Sequence, residues 1–98
     1  GLLHSSKTGS YTLVLGDDQR LITTTAGVTV PSGVFSAGDA ISVYNNSASN
    51  ITITQGTSVT LRLVGTATTG NRTLAQRGLA TIVCVGSNDF VITGGGLS

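Results

Sequence analysis

Few side chains in this sequence could do acid–base or nucleophilic chemistry. Its 98 residues include four acids, one His and one Cys, and no Met or Trp. The acids are Asp17, Asp18, Asp39 and Asp89, each in a turn-like stretch such as Gly16-Asp17-Asp18 or Gly38-Asp39. Glycoside hydrolysis needs two carboxylates flanking a cleft. An Asp beside Gly more commonly caps a turn with its own side chain. A Ser-His-Asp hydrolase needs a positioned His, and His4 lies in a polar N-terminal stretch. Asp17-Asp18 could join loop carbonyls around a hard cation, but no spaced acidic motif accompanies them. Cys84 stands between apolar residues, where a thiol is buried and inert. Gly94-Gly95-Gly96 lacks the strand–loop–helix context of a phosphate cradle. The expectation is a chain that is not an enzyme, with no cofactor and no resident metal.

Binding chemistry is better represented. Sugars present apolar C–H faces and hydroxyls, which suit an aromatic ring beside amide and Arg donors. Tyr44 alternates away from Ile41 and Val43 and is followed by Asn45 and Asn46. Arg62 alternates away from Leu61 and Leu63, and Asn71 and Arg72 lie in a long Thr/Gly stretch. Tyr44, Asn45, Asn46, Arg62, Asn71 and Arg72 are therefore the candidate glycan contacts. Tyr and Arg are also enriched at subunit interfaces, which is the alternative use for Tyr44 and Arg62.

The elements that would position these residues are strands. Period-2 alternation and β-branched runs predict strands at residues 11–15, 21–25, 28–30, 40–44, 51–54, 59–64, 79–85 and 90–93, with 73–76 a short strand or irregular. Gly, Asn, Asp and Ser clusters separate them. No window carries a helical period. Short strands joined by tight turns predict mostly antiparallel pairing and a small, jelly-roll-like β-sandwich. Residues 1–10 read as a linker or arm, 11–94 as one domain and 95–98 as a flexible tail.

The run 79–85 is apolar on both faces. Leu79, Thr81, Val83 and Val85 share one, and Ala80, Ile82 and Cys84 the other. One face can fill a core; the other needs a cover, from this chain or from another subunit. Ala80, Ile82 and Cys84 are the candidate interface. Charged residues make up 9% of the chain and the net charge is +1, far from a nucleic-acid-binding stripe. No apolar run is long enough to span a membrane, and no signal-peptide pattern is present. The start at Gly1 reads as a piece of something longer.

The order of these pieces resembles a β-domain of bacteriophage tail fibres and tailspikes. The likeness rests on residues 11–17 with Leu21-Ile22, on Val28-Thr29-Val30-Pro31, on 38–45, on Ile51-Thr52-Ile53 with Val59-Thr60-Leu61, and on 77–92. It departs at Phe90, where the family often has Trp, and at Cys84, where it often has a basic or polar residue. The resemblance implies a virion-borne, extracellular, non-enzymatic homotrimer that closes a fibre, recognises a host-surface polysaccharide, or both. A purely structural capping or connecting domain and a secreted bacterial adhesin or lectin-like module are the other readings.

Overall fold

The computed structural model describes all of residues 1–98 and is all-β, with one turn of 3-10 helix at Leu15–Asp17. The strands are β1 (Leu3–Lys7), β2 (Tyr11–Thr12), β3 (Arg20–Thr24), β4 (Val28–Val30), β5 (Ala40–Asn45), β6 (Ile51–Gln55), β7 (Thr60–Leu63), β8 (Arg72–Gly86) and β9 (Asp89–Leu97). They form one sheet, ordered β1-β3-β5-β8-β6-β4-β2, with β9 beside β8 and β7 beside β9. The sheet curls until it is nearly closed, like a barrel.

Pairing departs from the antiparallel expectation. β1–β3, β3–β5, β2–β4, β4–β6 and β7–β9 are parallel; only β5–β8, β6–β8 and β8–β9 are antiparallel. The turn signals at 25–27 and 46–50 bend the chain without reversing it. Each strand therefore leads round a corner into a second arm, and pairs with the strand two further on. The first half of the chain is a stack of three coils: β1–β2, β3–β4 and β5–β6. Parallel strands need a long crossover, and here the strand in the other arm supplies it. No jelly roll forms.

Corners stack as well as strands. Thr25 N donates to Lys7 O, Tyr11 N to Gly27 O and Asn46 N to Thr24 O. Thr24, fully buried, donates its hydroxyl to Ala26 O and accepts from Ala26 N. The long strand β8 closes the stack. Residues 79–83 pair with β5 and residues 72–74 with β6, so one strand crosses both arms. It bends between them at an irregularity where Arg77 takes φ 58.

The core lies between the arms. Ile22, Ile41 and Val43 face in from one arm, and Val28, Val30, Ile51 and Ile53 from the other. Leu74, Ala80, Ile82 and Cys84 line it from β8, with Phe90 and Ile92 from β9. Phe35 meets Phe90 edge to face, centroids 6.2 Å apart, a favoured aromatic geometry.

Both predicted termini are corrected. The arm at 1–10 contains β1, in full register with β3. Its side chains Leu3, Ser5 and Lys7 carry too little apolar signal to read as a strand. The tail at 95–98 belongs to β9: Leu97 opposes Leu74, and Ser98 and Thr73 exchange both backbone hydrogen bonds. Of its glycines, Gly96 takes a positive φ of 84, and a Cβ there would come within 3.2 Å of Gly78 Cα of β8. The 73–76 segment and the 79–85 strand are parts of the single strand β8.

Candidate functional site

Alternation divides every strand of the first arm between core and surface. The outer face is a grid set by register. Tyr44 lies between Thr23 and Leu79; Ser42 lies between Leu21 and Thr81, with Thr93 beyond; Ala40 opposes Val83, with Val91 beyond. Ser42 Oγ and Thr81 Oγ1 are hydrogen-bonded at 3.2 Å. Leu79 and Val85 are each 50% exposed. None of these residues is charged. An ion pair and an imidazole lie at the margins. Arg62 Nη1 sits 3.5 Å from Asp89 Oδ1 on the β7 side. On the β1 side His4 Nε2 pairs with Thr23 Oγ1 at 2.7 Å.

The candidate interface residues Ala80, Ile82 and Cys84 face inward. They are 0–1% exposed and belong to the core of a single chain. Cys84 Sγ donates to Gly86 O at 3.1 Å. The two apolar faces of 79–85 look alike in sequence. Register decides between them, because Val43 and Phe90, both buried, oppose Ala80 and Cys84. The face left free is Leu79, Thr81, Val83 and Val85.

The six glycan candidates do not form one site. Tyr44 is half-buried on the outer face. Asn46 lies beyond it at the corner, where its Oδ1 accepts a 2.6 Å hydrogen bond from Arg77 Nη1. Arg62 is at the opposite margin. Asn71 and Arg72 lead into β8 in the other arm, where Asn71 Oδ1 accepts from Gln55 N and Arg72 Nε donates to Asn71 O. Asn45 is fully buried and is removed from the set. Its amide donates to Ser49 O, Leu74 O and Ala75 O at 2.7, 3.1 and 3.0 Å, and its Oδ1 accepts from Ser47 Oγ at 2.7 Å. Sequence reading passed over Arg77. The signal was Gly78: a Gly inside an apolar strand pattern marks a bulge or bend.

Three acids hold backbone. Asp17 accepts from Tyr11 Oη at 2.7 Å and Val14 N at 2.9 Å, Asp18 from Ala40 N at 3.0 Å, and Asp39 from Ser36 N at 2.9 Å. The Ala40 N–H is the main reason the Asp18 carboxyl is held below its ordinary range. Tyr11, under Lys7 Nζ at 4.3 Å from its ring centroid, is pushed up to about 12 by burial, then by its hydrogen bond to Asp17 and the Asp17 charge. No three His, Cys, Asp or Glu side chains converge, and the surface has no enclosed pocket.

The Tyr11 environment gives a test. In a Tyr44→Phe background, phenolate absorbance should titrate near pH 12. In the Asp17→Asn variant the midpoint should fall toward the ordinary value of about 10. The folded state holds this proton more tightly than the unfolded chain. Its contribution to stability is therefore complete below pH 10 and is lost as pH rises toward 12. Comparison with protein-family models, curated proteins and solved structures gives no match for this chain.

Proposed function

We propose that this chain is a non-enzymatic module of a phage tail fibre or tailspike, and that it assembles as a homotrimer through the outer face of β5, β8 and β9. One observation carries the assembly reading: an uncharged sheet face with Leu79 and Val85 half exposed at its centre strand. Burying such a face gains about 25 cal/mol per Å² of apolar surface, and no like charges oppose each other across a contact between copies. The number three and the phage setting come from the family resemblance. The sugar-contact residues are divided among the corner, the β7 margin and the second arm, so the geometry favours assembly over a single polysaccharide site.

The test is light scattering of the isolated chain. The parent should be a trimer at micromolar concentration. Leu79→Glu should give a folded monomer with an unchanged β-type circular dichroism spectrum, because this side chain faces outward. Ile82→Glu should unfold the chain, because it places an unpaired charge in the core. A parent chain that stays monomeric at high micromolar concentration refutes the assembly.

A further inference from the structure

The three-coil stack has one closed end and one open end. At the closed end, β5 and β6 both give their outer edges to β8. At the open end, β1 pairs only with β3 and β2 only with β4. Lys7 O accepts from Thr25 N, so alternation turns the peptide groups of His4 and Ser6 away from β3. Tyr11 N and Leu13 N donate to Gly27 O and Thr29 O, which leaves the Thr12 peptide facing out.

The apolar surface agrees with the backbone. Leu2 and Leu3 enter the first coil, and Val14 and Leu15 leave it. These four are 51–61% exposed. Edge strands are commonly protected by an outstretched Lys. Here the one Lys of β1, Lys7, is folded over the Tyr11 ring.

The shape of this end limits what fits it. Two free edges, in two arms, meet at the corner formed by residues 8–10. A strand–corner–strand segment running in the same sense covers both and extends both parallel ladders. A head-to-tail second copy has no matching edge to offer, since its β5 and β6 edges are taken by β8. A copy related by a two-fold axis would arrive with its strands reversed. We infer that the open end accepts one further parallel coil, a strand–corner–strand polypeptide segment docked on β1 and β2 in the same sense as theirs. Leu3 opposes Arg20 and Tyr11 opposes Val28, a step of 17 residues in both arms (20 − 3 and 28 − 11). The step from the second coil to the third is 21 residues in one arm (41 − 20) and 25 in the other (53 − 28); the first step is the one nearest the open end and gives the length to test.

The experiment inserts a second copy of residues 3–19 between Leu2 and Leu3, which preserves that step. Hydrogen exchange is then followed at the amides of the original His4, Ser6 and Thr12. They should slow at least roughly tenfold relative to the parent chain, as amides do when a free edge becomes paired. Ser6→Pro in the original coil should abolish the gain. If the inserted chain does not fold, a synthetic peptide of residues 3–19 added to the parent chain is the second arm and should slow the same amides. Unchanged exchange in both arms overturns the inference. So does slow exchange in the parent chain that is lost on dilution, because a second copy then covers the edge. Neither readout depends on the outer face or on the trimer.

Discussion

Replacing Gly94 with Val should cost roughly 3 kcal/mol or more, the upper end for overpacking, and lower the melting temperature by roughly 12–24 °C. Gly94 lies where β9 crosses Ala80 of β8. A Cβ there would run into the Leu79 carbonyl oxygen and come within 2.6 Å of Ala80 Cα and 3.0 Å of Ala80 Cβ. Two of these atoms are backbone, held by β5 on the other side of β8, so the strand pair must separate. Domains of this kind have a total stability of about 5–15 kcal/mol, and the loss is a large share of it. Gly95 is the control. A Cβ at Gly95 meets nothing within 4 Å, and Gly95→Ala should change stability by less than about 1 kcal/mol. Thermal melts of the two variants side by side check the claim; equal melting temperatures would count against it.

Asn45 should be the most sensitive polar side chain. Its amide satisfies three carbonyls at the corner where β5 turns into β6 and β8 bends between the arms. Asn45→Ala withdraws the amide from all three. Ser49 O keeps Ser47 Oγ as a donor, and loss of the bonds to the Leu74 and Ala75 carbonyls costs about 1–3 kcal/mol for each that stays buried. Asn45→Asp keeps the volume but, when ionised, turns two donors into acceptors facing three carbonyls. It should be more damaging than Ala at pH 7. Burial raises the pKa of such a carboxyl, so the folded form binds its proton more tightly than the unfolded chain. The Asp variant should therefore regain stability as pH falls from 7 toward 5, while the Ala variant should not. Denaturant melts at the two pH values decide this. An Asp variant as stable as the parent at pH 7 would remove Asn45 from its role as the corner lock.

Much of the strand content was legible. β3 to β6 lie where β-branched runs predict them, because inward Val and Ile alternate with outward Thr and Ser. Alternation also held the answer for Asn45. It shares parity with Ile41 and Val43, and its turn-forming type drew attention away from that. Residues 11–15 were expected to be one strand, but Asp17 collects the Tyr11 hydroxyl and the Val14 N–H and folds the second half into a helical turn. Parallel pairing was not legible. A Gly or Asn cluster that turns a corner uses the same residues as one that closes a hairpin. What separates the two is where the next strand finds its partner. The orientation of β8 was hidden for a related reason: both faces are apolar, and only its neighbours' inward residues show which side is filled.

The strand pairing also opposes the order of synthesis to the order of assembly. β8 and β9, joined by the turn at Ser87 and Asn88, are the only consecutive strands bonded to each other. They are the one pairing that closes a short loop, and so the cheapest to form in entropy. Every other ladder joins distant segments, which form slowly. A ribosome releases this chain with its coils first and the hairpin that ties them together last. Until β8 is free, the outer edges of β5 and β6 stay unpaired. During that interval the nascent chain exposes β-branched segments that pair readily with those of its neighbours.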